Sequence, residues 1–240
     1  MAWATTSWTQ VLTARDGATS ESRLALEALC RTYWYPIYAF LRGHGLDPDD
    51  ARDVTQAYFA ELLEKGYLED CDPSRGRFRV FLMTSIRHFL AKEREKTRAW
   101  KRGGRAETFS LDEGEVEDRY RTEPADRLTP DQVFERRWAL TLLENVLVRL
   151  RQECADAARE REFELLKGFI TGEQPKVTYR TVAMELGTSE TAVKTTVHRF
   201  RQRFGALLRQ AIAETVSDPR DVDDEVRHLL GVIAPWSPQP

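Results

Sequence analysis

Apolar side chains recur along this chain every three or four residues, which is the period of an α-helix. The segment RLALEALCRTYWYPIYAFLRGHG shows this period first, and Gly43 and Gly45 predict where its helix ends. Pro36 lies within the segment, and we expect it to interrupt the helix because proline has no N–H to donate. The next helix is predicted to begin at Asp47, a favourable N-cap, with Pro48 in the first helical position.

The helical period continues towards the end of the chain. A third helix is expected from about Phe78 to about Trp100, where KRGGR stops it. Further helical segments are DQVFERRWALTLLENVLVRLRQEC, ADAAREREFELLKGFITG, TYRTVAMELG and SETAVKTTVHRFRQRFGALLRQAIAETV. The end of the sequence, DPRDVDDEVRHLLGVIAPWSPQP, contains a short amphipathic turn or helix and a proline-rich tail. The fold class predicted from this pattern is all-α.

One interval lacks an apolar period. Between Glu107 and Asp131 the chain has nine acidic residues against three arginines, a composition typical of a linker. A linker of this length favours two small helical domains over one. The predicted divisions are an N-terminal segment (1–20), a first helical domain (21–103), the acidic linker (104–131), a second helical domain (132–213) and a C-terminal extension (214–240).

The net charge of −3 conceals a strong segregation of basic residues. From Arg75 to Arg105 there are eleven Lys and Arg against two Glu, and from Lys176 to Arg209 there are seven against two acids. Two basic blocks with acidic neighbours indicate two anion-binding surfaces.

Several classes of function have no support in the sequence. The three cysteines show neither a disulfide framework nor metal spacing, and the four histidines have no ligand spacing. No glycine-rich phosphate loop and no G-x-S-x-G motif is present. No apolar run is long enough to span a membrane, and the N-terminus does not have the pattern of a signal peptide. We therefore expect a cytoplasmic protein that is not an enzyme, binds no metal or cofactor and has no membrane partner.

The segment YRTVAMELGTSETAVKTTVHRFRQRF has the pattern of a helix-turn-helix. Gly187 permits the tight turn, and Thr188 or Ser189 is expected to cap the second helix. One side of that helix is apolar, and the other carries the polar and basic groups that major-groove and phosphate contacts require. We call this side the recognition face, made up of Thr191, Lys194, Thr195, His198, Arg199, Arg201 and Gln202. The alternative is a helical hairpin with a basic, solvated surface.

The earlier basic block, RGRFRVFLMTSIRHFLAKEREKTRAWKRGGR, combines arginines with aromatic residues. Such a combination suits an unpaired or distorted nucleic-acid strand, whose bases stack and whose phosphates need positive partners. Arg87, Arg94 and Arg98 lie opposite the apolar stripe, with Arg79 and His88 at the margins. We call these five residues the basic face. The alternative is again a solvated surface, which Glu93 and Glu95 would partly neutralise.

The helix DPDDARDVTQAYFAELLEK carries small residues where a solvated helix would carry charge. On a helical wheel six residues share one side, and their spacing suits contact with another helix. We call this side the docking face, made up of Asp49, Asp53, Gln56, Ala57, Ala60 and Glu64. The alternative is an ordinary surface. Thr55 lies about 160° around the helix from Asp53, so we expect it to be buried and bonded to a backbone carbonyl one turn earlier.

From about Arg23 to about Ala213 the chain resembles the extracytoplasmic-function (ECF) sigma factors, small bacterial initiation factors with two helical domains. The stretch around D-x-x-Q, here Asp53 and Gln56, resembles the family's block that docks onto the polymerase clamp. FRVFLMTSIRHFLAKEREKTR is similar to the block that melts the promoter at the −10 element, and the helix-turn-helix is similar to the domain that reads the −35 element. The resemblance implies a sigma factor whose partners are core RNA polymerase and promoter DNA.

Four residues depart from the family pattern. Arg52 and Ala57 stand where the family usually carries acids, so the resemblance implies weaker docking to a basic clamp. His88 stands where asparagine is usual and Lys92 where aspartate is usual, which alters the expected base preference at the −10 element.

The strings YWYP, FERRWALTLL and DVDDEVRHLL resemble a branch of ECF-like sigma factors encoded near Ser/Thr kinases. This branch implies a Ser/Thr kinase as a regulator, and an anti-sigma factor is another candidate partner. The segment from Asp218 to Leu230 either folds over the recognition face as an autoinhibitor or extends the core.

Two other functions stay open: a helix-turn-helix regulator that binds duplex DNA without polymerase, and a kinase-responsive adaptor.

Overall fold

The structure is a computed structural model of the 240-residue chain. It describes residues 8–15, 19–72, 74, 76–99, 117, 120, 128–171 and 177–233, and of residues 9, 70 and 94–99 it describes the backbone only. Every regular element in these residues is helical, and no strand occurs among them, which confirms the all-α prediction.

The described residues of the first half form four α-helices: α1 (Trp8–Arg15), α2 (Ser20–Gly43), α3 (Pro48–Glu64) and α4 (Phe78–Ala99). A 3-10 turn, Tyr67–Asp70, lies between α3 and α4. The second half contains α5 (Pro130–Asp156), α6 (Glu160–Thr171), α7 (Tyr179–Glu185), α8 (Glu190–Ala213) and α9 (Val222–Ile233). A second 3-10 turn, Pro219–Asp221, leads into α9.

Helix α2 runs without a break through Pro36, so the predicted interruption is wrong. All side chains from Thr32 to Leu41 are buried. A helix that is buried on every side gains enough from packing to outweigh the one hydrogen bond that proline cannot make. The helix ends at Gly43, as the sequence predicts.

The start of α3 has the predicted cap. Asp47 has an extended backbone, and its side chain accepts a hydrogen bond of 2.8 Å from the Asp50 N–H, with Pro48 opening the helix. The cap satisfies one of the N–H groups that the first turn leaves without a partner. This fixes where α3 begins, and therefore which of its residues face outward.

The two halves of the chain pack together through α2 and α5. The Tyr33 and Phe134 rings stack with centroids 6.5 Å apart, and Phe78 of α4 meets Tyr33 edge-on at 5.5 Å. The helices approach so closely at one end that a Cβ on Gly43 would lie 3.3 Å from the Pro130 Cα. One cluster of buried apolar residues therefore spans both halves.

The linker prediction falls almost wholly outside the described residues. Among the linker residues that are described, Glu117 accepts hydrogen bonds from the Tyr38 hydroxyl at 2.5 Å and from the Arg42 guanidinium at 3.0 Å. Burial, together with the bond to Glu117, raises the pKa of the Tyr38 hydroxyl. This part of the acidic segment is held against α2.

The C-terminal helix α9 packs against α5 and α8. Leu229 is fully buried, and the backbone N–H of Trp8 in α1 reaches back to the Glu214 carbonyl at 2.9 Å. Helix α9 therefore extends the core, and all seven residues of the recognition face are exposed in the part of the chain that the structure describes. Among the described helices, none has the length and apolarity needed to cross a membrane.

Removing the Phe134 ring should test how far the α2–α5 contact holds the fold together. We expect Phe134→Ala to lower the free energy of unfolding by about 3–5 kcal/mol, because the cavity lies in a core that both halves share. Urea unfolding followed by far-UV circular dichroism measures the change. As a control, Val80→Ala at a position that is 52% exposed should change stability by less than about 0.5 kcal/mol.

Candidate nucleic-acid interface

The docking face of α3 lies at the surface. Gln56 is half-buried, and the five others, Asp49, Asp53, Ala57, Ala60 and Glu64, are exposed. The Arg52 guanidinium lies beside this face and pairs with Asp49 at 3.3 Å, so it neutralises part of the acidic end. The result is a flat strip of two alanines with carboxylates towards both ends, open to a partner.

Thr55 points away from this strip into the core, as predicted. Its side chain is fully buried, and its hydroxyl donates a hydrogen bond of 2.6 Å to the Ala51 carbonyl one turn earlier. A phosphate at this position would have to enter the packed interior of the first half. The structure therefore supports a packing role for Thr55.

The helix-turn-helix forms from α7 and α8. Gly187 adopts a φ of 63°, a left-handed conformation that L side chains rarely adopt. Ser189 then caps α8 by accepting a hydrogen bond of 3.2 Å from the Ala192 N–H, which selects Ser189 over Thr188. Val193 and Phe200 of α8 are buried, which turns the opposite side of the helix outward.

All seven residues of the recognition face are exposed. Two of the charged side chains already have partners within the protein. Lys194 pairs with Glu190 at 2.7 Å, and the Arg201 guanidinium donates to the Phe169 carbonyl at 2.7 and 3.0 Å. The Arg201 bonds tie α8 to the end of α6, so Arg201 helps to position the face.

Arg79 does not lie on an exposed basic face, so its placement there is wrong. Its side chain is only 2% exposed, and its guanidinium lies 4.3 Å from the centre of the Trp138 ring. Nε pairs with Glu135 at 2.9 Å, and Nη1 pairs with Glu225. Helix α4 begins at Phe78, and the packing of the second half covers its first turn.

The rest of the basic face has mixed surroundings. Arg87 and His88 are exposed, and Arg87 pairs with Asp131 of α5 at 2.6 Å. The side chains of Arg94 and Arg98 lie outside the part of the chain that is described. Of the residues whose side chains are described, Arg87 and His88 are therefore the exposed members of the basic face.

A cavity of about 280 Å³ adjoins this face between α3, the 3-10 turn and α4. Aromatic and polar residues line it together: Tyr58, Glu61, Tyr67, Phe81, Thr84, Ser85, His88, Phe89 and Lys92. A lining that combines aromatic rings with a few polar groups is typical of a binding site. Of these residues, only His88 belongs to one of the predicted faces. The lining comes from two helices and a turn, and no sequence period brings these three elements together.

Glu61 organises one wall of the cavity. It accepts hydrogen bonds from Lys92 at 2.9 Å and from the Tyr67 hydroxyl at 2.9 Å, and it pairs with Lys65 at 2.8 Å. These contacts, the one from Lys65 foremost, lower the pKa of the Glu61 carboxyl to about 2. Lys92, at a position where the resemblance expects aspartate, therefore has an acidic partner on α3.

Sequence reasoning missed Glu225 and its partners. In α9 this carboxylate lies on the same stripe as Leu229, and both side chains are fully buried. An acid on the apolar stripe of an amphipathic helix was the one available signal. Its partner, Arg79, belongs to the other half of the chain, so no pattern along the sequence could identify it.

Replacing Thr55 distinguishes a packed side chain from a phosphorylation switch. We expect Thr55→Asp to lower the free energy of unfolding by roughly 3 kcal/mol or more, because it buries a charge without a cationic partner. Thr55→Val should cost about 1 kcal/mol, the worth of one hydrogen bond. Ala57→Asp, at an exposed position on the same helix, is the stability control. A Thr55→Asp protein that unfolds like the wild type would contradict the packing role.

The lowered pKa of Glu61 predicts a specific dependence of stability on pH. The contribution of the carboxylate is fully present above its ordinary pKa of about 4.3 and is lost as the pH falls towards 2. The stability difference between wild type and Glu61→Gln should therefore be constant near neutrality and shrink below about pH 5. Urea midpoints across this pH range measure it, with exposed Glu27→Gln as the control. A difference that stays constant down to pH 3 would show that the pKa of Glu61 is the same in the folded and the unfolded protein.

The comparisons with known proteins bear on this geometry. A family model described as ECF sigma factor matches residues 42–210, which include α3, the cavity, α4 and the helix-turn-helix. No curated protein and no solved structure matches the chain. The match covers most of the sequence and contains each of the three faces. This chain belongs to the ECF sigma factor family.

Proposed function

We propose that this protein directs transcription initiation by binding core RNA polymerase and recognising the −10 and −35 elements of a promoter. The observation that carries the proposal is the separation of an exposed polar face on α8 from an exposed strip of alanines and acids on α3. A protein that only binds duplex DNA needs the first face and has no use for the second. Membership of the ECF family supports both roles.

The recognition face of α8 is proposed to read the −35 duplex. It offers the hydroxyls of Thr191 and Thr195, the ring of His198 and the amide of Gln202, which are donors and acceptors suited to base edges in the major groove. Arg199 and Lys194 supply positive charge for phosphates. The Glu190 carboxylate that now pairs with Lys194 would be displaced by a stronger phosphate contact.

The cavity beside α4 is proposed to take part in recognising the melted −10 strand. Tyr67 and Phe81 line it, and an unpaired base can stack on an aromatic ring. His88 and Lys92 supply hydrogen-bond donors at its edge. Arg87 is proposed to contact the adjoining phosphates after leaving Asp131.

The docking face of α3 is proposed to bind the polymerase. Its alanines permit close approach of a helix, and its carboxylates suit a basic partner surface. This complementarity is weakened because position 57 is alanine and because Arg52 adds positive charge. An additional contact or a regulator would compensate for the weaker binding. A Ser/Thr kinase or an anti-sigma factor is proposed for that role, acting at a site other than Thr55 because Thr55 is buried.

Two other functions make different predictions in one pair of assays. A conventional regulator would shift a specific duplex in a gel without polymerase, whereas a sigma factor directs specific transcripts only together with the core enzyme. An adaptor would do neither. In vitro transcription on genomic fragments, with core polymerase and with or without this protein, separates the three.

Substitutions on the recognition face test the proposal at residue level. Arg199→Ala should lower the affinity of the holoenzyme for its promoter about tenfold and reduce the slope of log affinity against log salt by about 1, because one phosphate contact is lost. Lys194→Ala should act in the same direction. Promoter binding at several salt concentrations and run-off transcription measure both effects.

The matched control is Arg227→Ala. Arg227 is 77% exposed and pairs with Asp224 within α9, away from the recognition face. It should leave promoter affinity and the salt slope unchanged. Equal losses from Arg199→Ala and Arg227→Ala would point to general charge attraction and contradict a specific contact.

A further inference from the structure

Lys92 and Glu61 meet at the wall of the cavity beside α4. The Lys92 ammonium lies 2.9 Å from Oε1 and 3.1 Å from Oε2 of Glu61, and both side chains line the cavity. An ammonium has three N–H donors and no acceptor. Two of these donors bond to Glu61, and within the described part of the chain the third is left for a ligand.

Glu61 holds this ammonium in place. Its side chain is 16% exposed, and its Oε1 also accepts from the Tyr67 hydroxyl at 2.9 Å and from Lys65 at 2.8 Å. The bond from Lys65 foremost, with those from Lys92 and Tyr67, lowers the pKa of Glu61 to about 2, so the carboxylate is ionised at neutral pH. A lysine stem is flexible, and a fixed partner removes part of the entropy that binding a ligand would otherwise cost. Lys92 is therefore preorganised.

The aromatic and hydroxyl side chains of the lining do not favour a particular base. Rings such as Tyr67 and Phe81 stack on all bases alike, because every base has a π-face. The hydroxyls of Thr84 and Ser85 both donate and accept, and so does the ring of a neutral His88. Selection among bases must therefore come from the charged side chains.

Glu61 is an acceptor whose capacity is already used. One bond from Lys65, one from Tyr67 and two from Lys92 make four contacts with its two oxygens. A carboxylate offers about four lone-pair sites. The group that decides which base fits is therefore Lys92, which can only donate. A base that places an acceptor here satisfies it, whereas an amino group leaves the donor without a partner.

We propose that the cavity selects an unpaired base that carries a carbonyl oxygen, with Lys92 as the group that recognises it and Glu61 as the residue that positions Lys92. The inference rests on the proposed function, in which the cavity receives a base of the melted −10 strand. Thymine, cytosine and guanine each carry a carbonyl acceptor, whereas adenine carries an amino group and ring nitrogens. The cavity should therefore discriminate against adenine.

The residue that the resemblance expects at position 92 would have the opposite effect. An ionised aspartate can only accept, so it favours bases with an amino group, and the Glu61 carboxylate would repel it. Lysine at this position reverses the hydrogen-bonding character of the cavity wall, and Glu61 supplies the partner that holds it there. The two residues therefore act as one unit.

Two purines of similar shape isolate the carbonyl. Hypoxanthine has a carbonyl at the 6-position and a proton on N1, whereas adenine has an amino group and a bare N1. Fluorescein-labelled strands of about ten units, in which one unit carries the base and the others are abasic, present a single base to the protein. Anisotropy with the full-length protein should show about tenfold tighter binding of the hypoxanthine strand, the gain from one charge-assisted hydrogen bond.

Substitutions at position 92 test which group recognises the carbonyl. Lys92→Met keeps an apolar stem and removes the donors, so the ratio of the two affinities should fall to about one. Lys92→Arg keeps donors and should retain a preference for hypoxanthine. The Lys92 side chain is 42% exposed, so both variants should fold, and far-UV circular dichroism checks this. A tenfold ratio that survives Lys92→Met would overturn the proposal.

Lys65→Met is the matched control. Lys65 also pairs with Glu61, and its side chain is 46% exposed, but it is not among the residues that line the cavity. Its replacement removes the same charge, so the affinity for both strands should fall equally and their ratio should stay about tenfold. A ratio that falls as far in Lys65→Met as in Lys92→Met would point to charge alone and contradict a contact from Lys92.

Glu61→Gln tests the positioning role. The amide has the shape of the carboxylate, but it is uncharged and accepts with one oxygen only, so Lys92 loses part of its anchor. The ratio should narrow to about threefold, and adding Glu61→Gln to Lys92→Met should change the ratio no further. An equal loss of affinity for both strands, with an unchanged ratio, would show that Glu61 has a structural role only.

Transcription with core polymerase separates this proposal from the function on which it rests. The strands are therefore measured with the holoenzyme as well as with the free protein. Specific transcripts from genomic fragments, together with equal binding of the two strands in both states, would reject base selection and leave the sigma-factor function standing. A preference that depends on Lys92, with no specific transcripts, would reject the function and leave the cavity as a site for a base of single-stranded DNA.

Discussion

The contact between α2 and α5 is the interaction on which the rest of this structure depends. Helix α2 is buried on every side over its central residues, so it needs a partner on the side that α1 and α3 leave open. Helix α5 provides it, with Phe134 stacked on Tyr33. A buried aromatic pair of this kind combines a large apolar area with a preferred geometry. The remaining helices are placed around these two.

This core decides which sides of the other helices face solvent. Thr55 and Tyr58 turn inward on α3, so the alanines of the docking face turn outward. Val193 and Phe200 turn inward on α8, so its polar side faces solvent. The three faces are therefore consequences of packing, and all three lie within residues 42–210, which the ECF sigma factor family model matches.

Charge has a second role where the halves meet. The arginines at the start of α4 look like nucleic-acid ligands in sequence, yet Arg79 is buried against carboxylates of α5 and α9. Guanidinium groups suit both tasks because their planar donors match carboxylate and phosphate oxygens alike. The same chemistry that makes arginine a phosphate ligand makes it a link between helices, and burial distinguishes the two uses.

The sequence by itself determined most of the helices, the cap at Asp47 and the inward sides of α3 and α8, because these depend on neighbours three or four residues apart. Helix α1 lies in the segment 1–20, for which no helix was predicted. Asp47 as a cap, Thr55 as an inward residue and the turn at Gly187 were all predictable in this way. Only the tertiary structure decided the fate of Pro36 and Arg79, the lining of the cavity and the partner of Glu225. Each of these depends on residues that are distant along the chain, and the free energy of burial that fixes them is a property of the assembled core.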